Sequence, residues 1–112
     1  MKTPRLNRKL VLETPNRLSD GAGGFVVAWQ SLGIVWAEVT ARTGRETTQA
    51  AAPISAMNYR IVVRATPHGS VDRPKPEQRF RAGERVYLIR AVAEEDPDGR
   101  YLTCFASEET AV

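Results

Sequence analysis

The side chains capable of covalent or metal chemistry are few and widely separated in this sequence. There is one cysteine, Cys104, in a strand-like run, and one histidine, His68, in a loop flanked by proline and glycine. A cysteine nucleophile needs a base beside it, and zinc sites combine several Cys and His ligands at short spacings. We therefore predict no catalytic residue, no bound metal and no cofactor, and we expect Cys104 to be a small buried apolar side chain.

An acidic cluster, Glu94-Glu95-Asp96, precedes the segment Pro97-Asp98-Gly99. Clustered carboxylates can bind a divalent cation, but Asp-Gly between two apolar runs is a hairpin signal. We interpret the cluster as a solvated turn rather than a metal site. The glycine-rich segment 21–24 lacks the lysine and the following helix of a phosphate-binding loop, so we interpret it as a flexible turn.

Basic side chains form two groups. The first is an N-terminal arm with Lys2, Arg5, Arg8 and Lys9. The second lies on two predicted strands and the loop between them, and comprises Arg60, Arg64, Arg73, Lys75, Arg79, Arg81 and Arg85. Such groups can neutralise nucleic-acid phosphates, but a net charge of +3 does not establish that partner. Only 7% of residues are aromatic, so few side chains are available to stack on bases. We therefore favour a role for these basic residues in solubility and in contacts with acidic neighbours.

The composition is that of one globular domain. The chain has 112 residues, of which 42% are hydrophobic and 26% charged, as expected for a soluble domain. A single cysteine excludes an intramolecular disulfide and favours a reducing compartment. No apolar run approaches the roughly 20 residues of a membrane span, and no apolar signal core follows the basic N-terminus. We expect no membrane partner and synthesis in the cytoplasm.

Short runs of β-branched and aromatic residues predict six or seven strands. Their bounds are 9–13, 25–30, 33–41, 58–65, 79–81, 85–93 and 100–106. Pro15 is expected to end the first strand because proline donates no ladder hydrogen bond. Residues 31–33 form either a tight turn or a bulge within one long bent strand. Strands at this spacing predict a mainly β fold, a small antiparallel β-barrel or sandwich.

Alternation with a period of two assigns faces to two of these strands. One face carries Val35, Ala37, Val39 and Ala41 on the first strand and Tyr59, Ile61 and Val63 on the second, and the opposite face carries Trp36, Glu38, Thr40, Arg60, Val62 and Arg64. We predict that Trp29 and Trp36 belong to the core. An exposed tryptophan would instead be a candidate interface anchor.

The remaining segments are connections and ends. Thr43 to Glu46 has the spacing of a capping box, which predicts one short helix that ends before Pro53. The loop 66–78 contains three prolines among charged residues, and a loop of this length is usually functional or disordered. Residues 1–9 are predicted to be a flexible basic arm, and residues 107–112 a frayed tail.

The order and spacing of several motifs resemble one protein family. The motifs are Asp20-Gly21 with Gly24, Trp29, Val35-Trp36-Ala37-Glu38-Val39, Tyr59-Arg60-Ile61-Val62-Val63-Arg64, Gly83 with Val86, Tyr87 and Ile89, and Leu102-Thr103-Cys104. Together, over roughly residues 6–106, they resemble the head–tail joining proteins of long-tailed bacteriophages. These are also called head-closure, stopper or head–tail connector proteins, and related versions occur in prophages and gene transfer agents.

The resemblance implies a single β-barrel domain over residues 1–112 that assembles as a ring in the virion. Its partners would be copies of itself, a portal or adaptor ring above, a tail-terminator or tail-tube protein below, and packaged double-stranded DNA in the channel. The candidate ring-contact or channel-loop residues are Arg5, Arg8, Arg45, Glu46, Arg60, Arg64, Arg73, Lys75, Arg79 and Arg81. We hypothesise that segments 43–57 and 66–78 become ordered on assembly.

Two other functions fit the same small barrel. One is a tail-completion or tail-tube-type component, which fold alone does not distinguish from a head-closure protein. The other is an oligonucleotide-binding barrel that uses the arginine faces and binds with steep salt dependence.

Overall fold

The computed structural model describes residues 3–42 and 57–109. These residues form six strands, which are β1 (Arg8–Ser19), β2 (Phe25–Arg42), β3 (Asn58–Arg64), β4 (Arg79–Ala82), β5 (Arg85–Glu94) and β6 (Tyr101–Glu109). Every pairing is antiparallel, and the strands close a barrel in the order β1-β2-β3-β6-β5-β4. The predicted antiparallel barrel is therefore confirmed. The predicted short helix over residues 43–52 lies outside the described residues.

The core fills the barrel from the alternate positions that the period-two pattern assigns. All six strands contribute side chains to it, namely Leu10, Leu12, Ala37, Tyr59, Ile61, Val63, Phe80, Tyr87, Ile89, Leu102, Cys104 and Ala106. The rings of Tyr59 and Tyr87 meet edge to face, with centroids 5.0 Å apart, a geometry that aromatic pairs prefer. The faces predicted for residues 58–65 are confirmed, since Tyr59, Ile61 and Val63 point inward.

Cys104 is wholly buried in this core, as predicted. Burial raises the pKa of its thiol to about 12, because a thiolate is poorly solvated in an apolar interior. We expect native Cys104 to react with a disulfide reagent at pH 8 at least about 1,000-fold more slowly than an ordinary thiol of pKa about 8.5. Absorbance of the released thiolate, with and without denaturant, measures this. An Ala93→Cys variant supplies an exposed thiol as control, and equal rates for both thiols would contradict the buried position.

The two segments predicted at 25–30 and 33–41 are one strand, β2, interrupted by a bulge. The register against β1 shifts between Leu12 and Glu13, which pair with Gly33 and Ser31, so Leu32 is the extra residue. Gly33 has a φ of 135°, a conformation that glycine adopts without a steric penalty. The bulge alternative is therefore correct, and the tight-turn alternative is wrong.

Pro15 does not end the first strand, contrary to the prediction. β1 continues to Ser19, with Pro15 paired to Trp29 of β2. On its other side β1 pairs with β4 only from Val11 to Glu13, so beyond Glu13 that edge has no strand partner among the described residues. Proline is tolerated where its missing N–H faces an unpaired edge, and the long β1–β2 hairpin follows from this.

The chain also stays in the sheet beyond the predicted end of the last strand. Ser107, Glu108 and Glu109 belong to β6, and Glu108 pairs with Tyr87, so the predicted frayed tail is wrong for these three residues. At the other end, Arg8 and Lys9 open β1, which corrects the predicted arm to the residues before Arg8. An ion pair between residues distant in the sequence, Arg85 and Glu108, lies at the end of β6.

Neither tryptophan belongs to the core, contrary to the prediction. Trp36 is 53% exposed on the outer face of β2, and Trp29 is half-buried beneath the Arg79 guanidinium, whose carbon lies 4.0 Å from the ring centroid. The alternation of β2 is the reason, because Val35 and Ala37 take the inward positions on either side of Trp36. An exposed tryptophan is a candidate interface anchor.

Candidate assembly surface

Arg79 and Arg81, two of the predicted contact residues, are held by one carboxylate. Glu13 is 6% exposed, and its two oxygens accept hydrogen bonds from Arg79 Nε at 2.7 Å and Arg81 Nε at 2.8 Å. Burial by itself raises the pKa of Glu13, but the hydrogen bonds and charges of both arginines outweigh it, and the net pKa is lowered. The cluster joins β1 to β4 at the seam that closes the barrel.

Arg60 is also paired within the chain. Glu95, at the start of the β5–β6 turn, accepts hydrogen bonds from the Arg60 guanidinium and the Thr103 hydroxyl. Val62 pairs with Thr103 on this outer face and is nearly inaccessible. Arg60 therefore stabilises the packing of the turn.

The other predicted contact residues are spread over the surface. Arg64 is exposed with its guanidinium 5.8 Å from the Tyr101 ring centroid, and Lys75 is exposed in the loop after β3. Arg73 donates a hydrogen bond to the Thr66 carbonyl. At the N-terminus, Arg5 is exposed and Arg8 is half-buried. The predicted residues Arg45 and Glu46 lie outside the described residues.

These positions do not form one phosphate-binding surface within the described part of the chain. The structure brings together Arg79 and Arg81, but both are paired with the one carboxylate of Glu13, and Arg60 is paired with Glu95. Binding to phosphates depends on basic side chains that can replace the counterions of the nucleic acid. The geometry is compatible with the interpretation that most of these arginines contribute to solubility and to contacts with acidic side chains.

Sequence reasoning missed one ionic cluster, at the end of β6. Arg85 binds Glu108 through two hydrogen bonds of 2.8 and 3.1 Å, and the Tyr59 hydroxyl donates to Glu108 at 3.0 Å. The hydrogen bond from Arg85 lowers the pKa of Glu108. The partners come from β3, β5 and β6, so no sequence spacing could have identified them. The cluster keeps the last strand paired through Glu109.

The acidic segment of the β5–β6 turn is structural. Asp96 is 5% exposed, and its Oδ1 accepts hydrogen bonds from the backbone N–H groups of Arg100 and Tyr101 at 2.8 and 3.1 Å. The turn interpretation is correct, although Glu95 and Asp96 are less solvated than expected. In residues 3–42 and 57–109, no group of three or more His, Cys, Asp or Glu side chains is arranged to hold a metal ion.

The loop of residues 66–78 is held against the barrel. Glu77 N–H donates to the Ile89 carbonyl at 3.0 Å, Ile89 N–H donates to the Gln78 carbonyl at 2.9 Å, and the Gln78 side chain donates to Thr14 Oγ1 at 3.3 Å. Pro74 is buried. These contacts extend the β4–β5 edge and give the loop a defined position in the single subunit, contrary to the hypothesis that segment 66–78 becomes ordered only on assembly.

The β1–β2 hairpin projects beyond the barrel as a two-stranded ribbon. β3 pairs with β2 only from Ala37 onward, so at the far end of the hairpin neither strand has a second neighbour among the described residues. The described residues span 52 × 40 × 23 Å with a radius of gyration of 15.4 Å, larger than the about 13 Å of a compact chain of this length. The ribbon therefore gives the subunit an elongated shape.

Four apolar side chains at the end of this ribbon are at least half exposed. They form what we call the tip cluster, which consists of Leu18, Phe25, Val26 and Val27. In the register, Leu18 pairs with Val26 on one face, whereas Phe25 and Val27 lie on the other. Neither face of the tip is covered within the described residues. Sequence reasoning missed this cluster, although an apolar run without alternation, Phe25-Val26-Val27, was a visible signal.

A shallow apolar groove lies beside the free edge of β2, with a volume of about 230 Å³. Its apolar lining consists of Leu6, Ile34, Val35, Trp36, Val63 and Pro74. Arg64, Thr66 and Asp72 complete the lining and place one basic and one acidic side chain in it. Ile34 is 56% exposed, so the groove continues onto the outer face of β2. Exposed apolar patches of this kind mark interaction sites.

Among the described residues, no helical segment has the length and hydropathy to cross a bilayer.

Comparison with known proteins identifies a family and a fold. The family model of the phage head completion protein matches residues 1–109. Comparison with the curated proteins gives no match. Among solved structures, the chain is similar to a chain of a structure described as the virion of a native gene transfer agent particle. The two are 53% identical, the match covers 97% of this chain and 100% of that chain, and the TM-score is 0.81.

A second solved structure shares the fold. It is the solution structure of a protein from Shigella flexneri 2a, 20% identical to this chain, with 100% of both chains covered and a TM-score of 0.68. The family match extends over nearly the whole sequence and confirms the predicted family. This chain belongs to the phage head completion protein family.

Proposed function

We propose that this chain forms a ring at the head–tail interface of a virion. The ring closes the DNA-filled head below the portal or adaptor and provides the surface on which the tail docks. The observation that carries the proposal is the match of residues 1–109 to the head completion family. The 53% identity to a chain of a gene transfer agent virion supports it.

Family membership supports a structural role in head–tail assembly, and the geometry of the subunit is compatible with it. A ring subunit needs a rigid core and a second surface that a neighbour can bind. The closed barrel supplies the first, and the projecting ribbon and the apolar groove are candidates for the second. Partners would be copies of this chain, the portal or adaptor, a tail protein and the packaged DNA.

The oligonucleotide-binding alternative is weakened by the pairing of Arg60, Arg79 and Arg81 with carboxylates. Each would bind a phosphate less strongly with its carboxylate in place, because the carboxylate offsets part of the positive charge. The tail-component alternative shares the fold and is separated only by the phenotype of a strain without the gene.

Electron microscopy of particles from a strain that lacks the gene tests the proposal. We expect heads that have lost their DNA or lack tails, beside free and complete tails. Complementation with the wild-type gene restores tailed particles and serves as the control. Intact tailed particles would exclude a role in head–tail joining. Filled, closed heads beside incomplete tails would instead indicate that the protein is a tail component.

A further inference from the structure

The two apolar surfaces of this subunit differ in form. The tip cluster is a projection, whereas the groove beside β2 is a recess. A closed ring is built from heterologous contacts, in which one patch of each subunit binds a different patch of the next. A chain that carries both a projection and a recess therefore has the two halves that such an interface requires.

The size of the groove suits a side chain better than a metabolite. Small-molecule sites usually measure about 300–1,000 Å³, and an apolar cavity of about 150 Å³ can hold a benzene ring. A groove of about 230 Å³ therefore has room for one aromatic side chain with a smaller neighbour. Phe25, which is 63% exposed, and Val27 on the same face of the tip match this volume.

The far end of the ribbon has no supporting strand among the described residues. A two-stranded hairpin is marginally stable in water unless a further strand or a packed face supports it. At the tip, side chains on both faces of the ribbon are exposed, so within residues 3–42 and 57–109 its apolar area has no cover, and a second molecule could supply one.

Both surfaces carry charged side chains at their edges, and the groove has one acidic and one basic side chain, Asp72 and Arg64. Arg17 lies over the Phe25 ring, with its guanidinium carbon 5.3 Å from the centroid, so the projection carries a positive charge. Asp72 lines the groove, is exposed, and accepts a hydrogen bond from the Ser70 hydroxyl. An Arg17–Asp72 pair at the rim would set the orientation of the contact, as charged rims do in other interfaces.

We propose that the tip cluster of each subunit inserts into the apolar groove of the next copy of this chain, with Arg17 facing Asp72. This inference rests on the proposed ring. It assigns the intersubunit contact to the β1–β2 ribbon and to the groove formed by β2, β3 and the loop of residues 66–78.

Cross-linking in assembled particles tests the contact. A Val27→Cys, Ile34→Cys double variant places one thiol on the tip and one in the groove. The two positions are seven residues apart on one strand, or about 23 Å, which is too far for a disulfide within the chain. A short bis-maleimide should give a ladder of products at multiples of 12.4 kDa. Buried Cys104 contributes no background.

The matched control is Val27→Cys with Ala93→Cys, which moves the second thiol to an exposed position on β5. We expect no ladder from this control or from either single variant. A ladder of equal strength in the control, a dimer from Val27→Cys alone, or a product that contains a different virion protein would each overturn the proposal. So would the absence of any ladder in particles that contain the double variant.

A charge exchange provides an independent test. Arg17→Glu and Asp72→Arg should each lower the yield of tailed particles by at least about tenfold, because like charges then face each other. The double variant should restore the yield. Thermal unfolding of each purified variant verifies folding. Folded single variants with normal yield, or a double variant without recovery, would contradict the pair. If the deletion strain nevertheless shows tailless heads, either of these two results would exclude the Arg17–Asp72 contact without affecting the proposed head–tail role.

Discussion

Replacement of Phe80 by alanine is expected to lower the free energy of unfolding by about 3–5 kcal/mol, the usual cost of deleting a buried phenyl ring. Phe80 is wholly buried and pairs in register with Leu12 of β1 and Tyr87 of β5. β4 has only four residues, so this ring is its main apolar contact. Its loss leaves a cavity at the seam that closes the barrel.

The effect is large because small domains have only about 5–15 kcal/mol of stability in total. Urea unfolding followed by tryptophan fluorescence measures it. Phe25→Ala is a matched control, since it makes the same chemical change at an exposed position of the tip cluster, where about 0.5 kcal/mol is typical of surface sites. Equal costs for the two substitutions would contradict the closed barrel.

Replacement of Glu13 by glutamine is expected to cost about 2–3 kcal/mol at pH 7. Breaking a fully buried ion pair costs about 3–5 kcal/mol, and the value here is smaller because the Arg81 side chain is 39% exposed. The variant retains the size of the side chain but leaves the guanidinium groups of Arg79 and Arg81 without their shared carboxylate.

The cost should depend on pH in a defined direction. Because the pKa of Glu13 is lowered in the folded chain, its contribution is fully present above the unfolded-chain value of about 4.3. It is lost as the pH falls through the lower folded-state pKa. Urea unfolding at pH 7, 5 and 3 should therefore show the difference between wild type and variant shrinking only below about pH 4. Glu84→Gln, at an exposed turn position, is the control, and a difference that stays constant down to pH 3 would contradict the assigned pair.

The proposed interface and the residues Phe80 and Glu13 lie in separate parts of the molecule. Phe80 and Glu13 act at the seam between β1 and β4, whereas the tip cluster lies at the far end of the ribbon. Substitutions in the tip should therefore affect assembly with little change in unfolding, and substitutions at the seam should affect both. That contrast separates a defective contact from a defective fold.

Several features of this protein could be predicted from the sequence alone, because they depend on local patterns. Alternation of apolar and polar residues is a property of neighbouring positions, and it correctly identified the inward faces of β2 and β3. The composition around Cys104 predicted its burial. The order and spacing of the motifs identified the family. The same alternation placed Trp36 opposite Val35 and Ala37, so its exposure was predictable, and the general preference of tryptophan for interiors was the wrong guide.

Only the tertiary structure decided which strands and charges meet. Glu13 and Arg79 are 66 positions apart, and the pairing of β1 with β4 that brings them together depends on barrel closure, which no local pattern specifies. The same holds for the Arg85–Glu108 cluster at the end of β6, a strand that stays paired as far as Glu109. It also holds for the continuation of β1 through Pro15, which depends on an unpaired edge. Local sequence therefore determined where the strands lie and which of their faces point inward, but not where β1 and β6 end. The closure of the barrel decided which arginines are paired with carboxylates and which apolar side chains remain exposed, because both depend on contacts between residues distant in the chain.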